Sequence, residues 1–452
     1  MPRATALPVE ERILQLLQYL GIDQAHFVGR TPADWTGLAT TYPEVFCSFT
    51  LVGPGVIAPH TVSSLASRLL VFTGDQEASA ERVRRVVESL PDARLVTFRD
   101  YALLGWTDVV AERTDEIGSA MLHFLAQHGC RGGASTVPLA EDQGEIAGIS
   151  YRTRGVGPPL VLFPLFLAPS QWEPLVPRLS QHYCTITLGG VELGAVANLE
   201  SRGHAAGYVR MVQALTDATQ LQPGQTVLDV GCGTGVIDRW LGRRTAGQNR
   251  IIGVDINRYL LQEAVALARK EGLEGAVDFR EGSAEALPFP DNSFDVTMSM
   301  TVIEEVDAQQ MLAEMVRVTK PGGRVAVIAR AMDMPFLINL RLQAELQAKV
   351  GAPGALGSVA GRGCADASLY RRFHQAGLTQ VKMFPQLPAF DGSAPYMLQF
   401  MQNGILGKLT EEEARQWQSA RAQAEAEGTF FMTWPHHCAV GTKSSQREEV
   451  FP

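Results

Sequence analysis

The sequence lacks closely spaced cysteines and long apolar runs. Its six cysteines, at positions 47, 130, 184, 232, 364 and 438, form no C-x-x-C pair. This spacing indicates neither a disulfide framework nor a zinc site, so we expect a reducing, cytoplasmic location. The longest apolar run, residues 160–168, is too short to span a bilayer, and the opening MPRATALPVEER has no apolar leader segment. We therefore expect no membrane insertion.

An excess of positive charge is also absent. The formal net charge is −9 at pH 7. A negative protein does not attract phosphate backbones electrostatically, so we do not expect nucleic acid as a partner. A local basic patch could still hold a structured RNA. The 452 residues exceed what one hydrophobic core usually supports, so we expect two or more domains.

The first part of the chain alternates helix and strand patterns. Apolar runs predict strands at residues 25–29, 48–52, 68–73 and 93–98, with helices predicted at residues 9–20, 33–46, 80–90 and 108–127. This alternation is typical of a parallel, doubly wound sheet.

A polar segment interrupts the alternation. Residues 131–147 are small and turn-forming, which predicts a linker. Beyond it, the patterns predict strands at residues 148–155, 159–164 and 183–188, and a helix at residues 171–179. Residues 189–202 are interpreted as a second connecting segment, and residues 204–220 as an amphipathic helix.

One stretch, TVLDVGCGTG at residues 226–235, organises the second half of the chain. Its first five residues are an apolar run that ends in glycines, and a helical pattern follows from Val236. This predicts a strand, a tight turn and a helix whose N-terminus and bare amides face a ligand. A dinucleotide site needs G-x-G-x-x-G, whereas Gly231, Gly233 and Gly235 follow G-x-G-x-G.

This spacing resembles motif I of the class I S-adenosylmethionine-dependent methyltransferases. The resemblance implies a Rossmann-like domain with a seven-stranded sheet, and S-adenosyl-L-methionine as the cofactor. It implies that the turn binds the methionine end of the cofactor and that the Asp229 carboxylate binds the ammonium group of that end. The turn residues are Gly231, Cys232, Gly233, Thr234 and Gly235. The alternative is a glycine-rich turn in some other α/β sheet.

Later segments follow the same family in order. Asp255 closes the next predicted strand, residues 250–254, where a carboxylate can accept both ribose hydroxyls. The resemblance implies that the Ile256 side chain packs against the adenine ring. Ser283 replaces the family's usual acidic residue, so its hydroxyl would accept from the adenine amino group while the Ala284 amide donates to a ring nitrogen. Two further predicted cofactor contacts are Met300 and Tyr208, the latter with simple packing as the alternative.

Residues 287–295, LPFPDNSFD, are typical of the ubiquinone/menaquinone C-methyltransferase-like branch of the family. That branch contains many small-molecule methyltransferases, so we expect a small-molecule acceptor. After a predicted fourth strand, residues 296–300, Glu304 and Glu305 are candidates to orient or deprotonate a nucleophile. The competing interpretation is a helix N-terminus that carries favourable negative charge.

Substrate choice is expected to depend on residues after position 329. The patterns predict a helical segment at 331–350, a glycine-rich lid at 351–363, a helical pair at 393–428 and a last strand at 429–442. Candidate acceptor contacts are Arg330, Arg341, Tyr370, Arg371, Tyr396 and Phe400. Several arginines facing one cavity would favour a carboxylate- or phosphate-bearing acceptor. Surface arginines and core packing are the competing interpretations.

Three consecutive residues, His436, His437 and Cys438, have side chains of the kinds that bind metals. Neighbours on a strand point to opposite faces of the sheet. We therefore expect no metal site at this position.

The two predicted halves before residue 190 resemble an α/β-hydrolase in swapped order. Residues 20–35, LGIDQAHFVGRTPADW, take the place of the nucleophile elbow, but the elbow needs G-x-S-x-G and none occurs in the chain. Thr31 lacks a base, since Leu103 stands where the histidine would align. The resemblance therefore implies a catalytically inactive domain, produced by circular permutation or from two truncated units.

The predicted organisation has three folded segments and a linker. The boundaries are 1–130 and 148–190 for the hydrolase-like halves, 131–147 for the linker and 203–445 for the methyltransferase domain. The predicted function is methyl transfer by in-line displacement to an oxygen, nitrogen, sulfur or carbon atom of a small acceptor. The hydrolase-like part would be a scaffold, a partner surface or a homodimer contact. The alternatives are a bifunctional methyltransferase and esterase, and a non-catalytic cofactor-binding protein.

Overall fold

The structure, a computed structural model, divides into two compact units, residues 1–197 and 198–452. It describes residues 7–30, 36–54, 57, 59–76, 80–101, 108–130, 143–165, 168–190, 193–354, 359–406 and 408–445. Thr31 and Leu103, on which the argument about hydrolase chemistry depends, lie outside these ranges. Within them, no helix combines the length and the apolar character needed to cross a bilayer.

The described residues of the first unit form an eight-stranded sheet. Its strands are β1 (Ala25–Gly29), β2 (Phe46–Val52), β3 (Leu69–Gly74), β4 (Arg94–Phe98), β5 (Gln143–Ile146), β6 (Ile149–Arg154), β7 (Pro159–Leu162) and β8 (Cys184–Gly189). Their order is β4-β3-β2-β1-β7-β8-β6-β5. All pairs from β4 to β8 are parallel, and β6 is antiparallel to both β8 and β5. Because β7 pairs with β1, the segments on both sides of the predicted linker share one sheet.

Apolar clusters cover both faces of this sheet. The helices are α1 (Val9–Tyr19), α2 (Thr36–Thr41), α3 (Pro59–Val62), α4 (Ala80–Glu88), α5 (Val109–Glu112), α6 (Thr114–Leu125) and α7 (Val176–Leu179). Phe27 belongs to the same apolar cluster as Leu16 of α1, while the next residue, Val28, belongs to the cluster that contains Met121 of α6. Residues buried on both faces explain why the parallel strands are continuous apolar runs. The predicted alternation of helices and strands is confirmed.

The described residues of the second unit form a seven-stranded sheet, as the resemblance implied. Its strands are β9 (Thr226–Val230), β10 (Arg250–Asp255), β11 (Val277–Glu281), β12 (Phe294–Met300), β13 (Thr319–Arg330), β14 (Leu378–Gln386) and β17 (His436–Lys443), and a small sheet pairs β15 (Ala389–Phe390) with β16 (Met432–Thr433). The order is β11-β10-β9-β12-β13-β17-β14. Strands β11 to β13 are parallel, and β17 runs antiparallel between β13 and β14.

Nine helices among the described residues accompany or adjoin this sheet. They are α8 (Gly194–His204), α9 (Ala206–Thr219), α10 (Val236–Arg244), α11 (Arg258–Lys270), α12 (Ala308–Val318), α13 (Ala344–Gly351), α14 (Ser368–Gln375), α15 (Pro395–Leu406) and α16 (Glu411–Ala426). Val227 and Leu228 of β9 enter different apolar clusters, so this sheet too is covered on both faces.

Three sequence predictions about local structure are wrong. The last part of the predicted linker, residues 143–146, forms β5, a short polar edge strand that pairs with β6 through a turn at Ala147 and Gly148, while residues 131–142 lie outside the described ranges. The predicted connecting segment 189–202 contains most of α8, which is held by long-range contacts described below. The predicted helix 331–350 begins only at Ala344, because Pro335 disfavours a helix and residues 336–340 are buried alternately, as in an extended chain.

Cys47 and Cys130 form a disulfide, contrary to the expectation drawn from cysteine spacing. Their Cα atoms are 4.9 Å apart although 83 residues separate them in the sequence. Cys47 lies on β2 and Cys130 follows α6, so only the fold brings them together. The His26 ring lies beside them, and the three ligand atoms are within 4.8 Å of one another. A cytoplasmic location, which depended on the cysteine spacing, stays a prediction.

Candidate functional site

The glycine turn between β9 and α10 is held by hydrogen bonds of its own backbone amides: those of Gly231 and Cys232 donate to the Val254 carbonyl oxygen, and that of Gly235 donates to the Cys232 carbonyl oxygen. Gly231 and Gly235 have φ of 78° and 69°, a left-handed conformation that favours glycine. A Cβ atom on Gly231 would lie 2.2 Å from a methyl carbon of Val302, and one on Gly235 would lie 2.4 Å from the Phe279 ring. Larger residues therefore do not fit, because side chains of the protein already occupy the space beside both glycines.

Asp255 holds this turn from the end of β10. Its Oδ2 accepts a hydrogen bond from the Gly233 amide at 2.8 Å, and its Oδ1 accepts from the Asn257 amide, also at 2.8 Å. Burial raises the pKa of Asp255, while the amides of Asn257 and Gly233 oppose that effect. The Ile256 amide also donates to this carboxylate, and a carboxylate has about four acceptor positions, so Asp255 can still accept from one further donor.

A buried ion pair ties α8 to the same turn. Glu200 accepts from the Thr234 hydroxyl and from Nη2 of Arg239, each at 2.5 Å. Arg239 also donates to the Thr234 carbonyl oxygen and to Glu271. The side chains of Arg239 and Glu200 are 2% and 9% exposed. Sequence reasoning missed Glu200 because its partners lie 34 and 39 residues away.

Asp229 and Asp238 are two buried carboxyl groups beneath the turn. Burial first, and the neighbouring Asp238 second, raise the pKa of Asp229 well above its ordinary value. Burial also raises the pKa of Asp238 to about 7. Carboxyl groups this close do not both ionise readily, so the pair retains a proton near neutral pH. The proposed contact of Asp229 with an ammonium group stays a prediction.

A cavity of about 200 Å³ opens beside the turn. Eight residues predicted from the sequence line it, namely Tyr208, Gly231, Gly233, Asp255, Met300, Glu305, Arg330 and Phe400. They come from six different parts of the chain, and the parallel strands bring most of them to one edge of the sheet. The structure thus unites cofactor, catalytic and acceptor candidates in one place.

The other predicted residues are not among the described residues that line the cavity. They are Asp229, Cys232, Thr234, Gly235, Ile256, Ser283, Ala284, Glu304, Arg341, Tyr370 and Arg371. Ile256 is 71% exposed beside Asp255, and the Ser283 hydroxyl accepts from the Glu285 amide at 3.2 Å. Arg341 and Arg371 are exposed, as in the competing interpretation of surface arginines. The Tyr396 side chain lies outside the described part of the chain.

Glu304, Glu305 and Arg330 form one ion-paired group. Arg330 Nε donates to Oε1 of Glu304 at 2.7 Å, and its Nη2 donates to Glu305. Glu304 is fully buried, and burial raises its pKa although Arg330 opposes that rise. Arg330, predicted to bind an acceptor, is therefore ion-paired with Glu304 and Glu305, the two carboxylates predicted to act on that acceptor.

Several residues that line the cavity were missed by sequence reasoning. The polar ones are Arg202 and His436, and the large apolar ones are Phe390, Met397 and Trp434. Arg202 lies on α8, which the sequence did not predict. His436 was noticed only as a possible metal ligand, although strand alternation already implied that one of the two histidines faces the site.

His436 and His437 point to opposite faces of β17, as predicted. His436 lies edge-on to the Tyr208 ring, with centroids 6.4 Å apart. His437 bridges the Tyr370 hydroxyl, 2.9 Å from Nδ1, and the Asp333 carboxylate, 2.8 Å from Nε2. Tyr370 therefore contacts a histidine on the far face, and its predicted role as an acceptor contact stays a prediction.

Residues 228–327 match the family model of a methyltransferase domain. Over 113 residues the chain is 39% identical to a ubiquinone/menaquinone biosynthesis C-methyltransferase UbiE of Enterobacter sp. (strain 638), covering 25% of this chain and 45% of that protein. Over 119 residues it is 39% identical to the methyltransferase GfsG of Streptomyces halstedii, covering 26% and 42%. The chain thus spans less than half the length of these relatives.

Solved structures resemble the chain over about half its length. A geranyl diphosphate C-methyltransferase from Streptomyces coelicolor A3(2) is 15% identical, with a TM-score of 0.33, and the match covers 52% of this chain and 79% of that one. The [4+2]-cyclase SpnF is 23% identical, with a TM-score of 0.33 and coverage of 52% and 80%.

Proposed function

We propose that residues 198–452 form an S-adenosylmethionine-dependent methyltransferase that acts on a small-molecule acceptor. The observation that carries the proposal is the glycine turn held against Asp255 at a cavity lined by Gly231, Gly233 and Asp255. The match of residues 228–327 to a methyltransferase domain supports it.

The residues present fit this cofactor. Gly231 and Gly233 border the cavity without side chains, which leaves room for the methionine end of the cofactor, and the remaining acceptor capacity of Asp255 suits a ribose hydroxyl. Ile256, an exposed apolar side chain next to Asp255, offers a surface for a flat base. Ser283 and Ala284 follow β11 at the same edge of the sheet. When bound, the cofactor supplies a methyl group activated by a sulfonium.

The protein's contribution is then orientation and exclusion of water. Tyr208, Phe390, Met397 and Trp434 give the cavity large apolar walls, and all four are buried. Because Arg330 is paired with two glutamates, the cavity gives little support to a multiply anionic acceptor. We infer a mainly apolar acceptor that displaces water from these walls.

Calorimetry with S-adenosylhomocysteine tests the cofactor assignment. We expect the full chain to bind it, and Asp255→Ala to weaken binding roughly 10- to 100-fold, because hydrogen bonds to a charged group are lost. Asp278→Ala is the matched control, since Asp278 is a half-exposed carboxylate on the neighbouring strand β11. Absence of binding, or equal binding by both variants, would contradict the proposal.

Transfer itself is tested with methyl-labelled cofactor and a panel of acids, phenols, amines and thiols. Label in a small product supports a methyltransferase. Cofactor binding without transfer to any member of the panel favours the alternative of a non-catalytic cofactor-binding protein.

For residues 1–197 we propose a degenerate, permuted α/β-hydrolase-like scaffold. The parallel pairing of β7 with β1 supports permutation over two truncated units, because both segments complete one sheet.

A chromogenic ester assay on the full chain and on Thr31→Ala tests whether this part is catalytically inactive. If the full chain hydrolyses the ester and the variant does not, the bifunctional alternative replaces the inactive scaffold. Light scattering measures the mass of the full chain in solution and so tests the prediction that the hydrolase-like part forms a homodimer contact.

A further inference from the structure

The His436 ring presents an unpaired proton acceptor at the cavity wall. Its Nδ1 is 2.8 Å from the carbonyl oxygen of Trp434. Because a carbonyl oxygen only accepts, Nδ1 carries the ring proton, and Nε2 of the neutral ring keeps its lone pair. No described residue hydrogen-bonds to Nε2. His436 is 3% exposed and lines the cavity together with Gly231 and Gly233.

Burial, more than the charges around it, keeps the ring neutral. Arg202 approaches from α8, and Arg330 lies opposite His436 in the pairing of β13 with β17. Burial, with smaller effects of Arg202, Arg330 and His437, lowers the pKa of His436 to about 3. The carboxylates nearby, Glu304 and Glu305, are engaged with Arg330, and Tyr208 faces the ring from α9.

Arg202 supplies a cation beside this acceptor. Its Nη1 donates to the Thr301 hydroxyl at 3.1 Å, and its guanidinium lies 5.9 Å from the centre of the Tyr208 ring. Its Nε has no hydrogen-bond partner among the described residues, and no described carboxylate pairs with it. Unlike Arg330, Arg202 therefore keeps its charge for a group that enters the cavity.

Flat apolar surfaces complete the site. The rings of Phe400 and Trp434 stack with centroids 5.7 Å apart and planes 15° apart, and Phe390 also lines the cavity. Aromatic side chains of this kind favour a planar ligand.

We propose that His436 Nε2 accepts the proton of a weakly acidic hydroxyl on a planar, apolar acceptor, and that Arg202 stabilises the oxygen as it becomes anionic. This inference rests on the proposed function and names its acceptor class, a phenol or an enol. Both residues line the same cavity as the glycine turn, which places proton removal beside the methyl donor.

The step balances in atoms and charge. The hydroxyl proton moves to Nε2 while an oxygen–carbon bond forms and the carbon–sulfur bond breaks, its electron pair going to sulfur. The positive charge lost from the sulfonium reappears on the imidazolium, which then releases its proton to water. A weakly basic imidazole can assist only acceptors whose hydroxyl is itself acidic, which excludes ordinary alcohols.

The experiment compares two phenols with methyl-labelled cofactor. Unsubstituted phenol is protonated at the assay pH, whereas 4-nitrophenol is largely ionised in mildly alkaline buffer. We expect His436→Asn to lower kcat/KM for phenol by about tenfold or more, at or below the low end of the usual range for a general base because the imidazole is weakly basic, and to leave kcat/KM for 4-nitrophenol nearly unchanged. Asparagine keeps a donor near the position of Nδ1. His437→Asn, which changes the opposite face of β17, is the control.

Nitrogen NMR of the wild-type chain gives a second readout that does not depend on the variant's folding. We expect His436 to be neutral and protonated at Nδ1 at pH 7, and its Nε2 signal to shift when phenol is added. Equal losses for both phenols, a proton on Nε2, or no transfer to either phenol would overturn this inference. If S-adenosylhomocysteine still binds in that case, the proposed function survives; if it does not bind, the proposed function fails as well.

Discussion

The Asp255 carboxylate accepts a hydrogen bond from the backbone amide of Gly233 at 2.8 Å, joining the end of β10 to the glycine turn after β9. One side chain therefore both shapes the turn and lines the cavity in which we propose that the cofactor binds. A residue with both tasks affects folding and binding together when it is replaced.

Asp255→Asn should separate these two tasks in part. Asparagine offers one acceptor oxygen, so either the Gly233 or the Asn257 amide loses its partner. We expect S-adenosylhomocysteine affinity to fall about tenfold and the free energy of unfolding to fall by about 1 to 2 kcal/mol. Calorimetry and urea denaturation measure the two effects. Unchanged affinity in a correctly folded variant would refute the assigned role.

Arg239→Ala should destabilise the glycine turn, although Arg239 is not among the described residues that line the cavity. It leaves Glu200 buried and uncompensated, which typically costs about 3 to 5 kcal/mol. Arg243 is 53% exposed and also pairs with Glu271, so Arg243→Ala should cost about 1 kcal/mol or less. Hydrogen exchange of β9 and β10 amides, read by mass spectrometry, reports the local stability. Similar protection in both variants would contradict this account of the turn.

The glycine turn and the Asp255 carboxylate beside it could be predicted because their signals are local. The spacing of Gly231, Gly233 and Gly235 and the aspartate at the end of β10 each depend on a short stretch of chain. Parallel strands then bring these stretches to one edge of a sheet, so a correct order of elements already implies their proximity.

Arg202 and His436, which line the cavity, could not be predicted as cavity residues, because long-range contacts bring them there. Arg202 reaches the cavity through α8, whose buried Glu200 is held by Arg239 from 39 residues away. His436 owes its position to the antiparallel pairing of β17 with β13, and its orientation to the Trp434 carbonyl oxygen. The bond between Cys47 and Cys130 likewise joins residues that no spacing rule connects.

Removing that disulfide should destabilise the first unit. Closing a loop between residues 83 apart restricts the unfolded chain, and chain-entropy arguments give about 4 to 5 kcal/mol for loops of this size. We expect the paired change Cys47→Ala and Cys130→Ala to lower the corresponding calorimetric transition, and a reducing agent to do the same to the wild type.

A thiol count checks the bond independently. Four cysteines outside the disulfide are free, so alkylation of the unfolded chain should modify four thiols without a reducing agent and six with one. Six modified thiols without a reducing agent would contradict the bond.

Glu304 and Glu305 should behave differently although both pair with Arg330. Glu304 is fully buried, so Glu304→Ala leaves Arg330 without its main partner at an expected cost of about 3 to 5 kcal/mol. Glu305 is about one-third exposed, and Glu305→Ala should cost about 1 kcal/mol or less. Urea denaturation of the two variants tests this. If Glu305→Ala abolished methyl transfer with stability intact, the earlier hypothesis of a catalytic glutamate would be favoured over His436.

The Asp238 carboxyl should make the second unit less stable as the pH rises. Its pKa is 3.8 in the unfolded chain and is raised to about 7 by burial in the folded protein. Between these values the unfolded carboxyl has lost its proton while the folded one retains it. Ionisation therefore favours the unfolded chain increasingly as the pH rises, by up to about 1.4 kcal/mol per pH unit.

Asp238→Asn removes this titration, because the amide stays neutral. We expect the variant and the wild type to differ little at pH 4, and the variant to be more stable at pH 8 by on the order of 2 to 4 kcal/mol. Asp217→Asn is the matched control, since Asp217 is a half-exposed carboxylate on α9. Urea midpoints at several pH values measure the difference. If the variant and the wild type kept a constant difference from pH 4 to 8, the buried pair of Asp229 and Asp238 would not hold a proton near neutral pH.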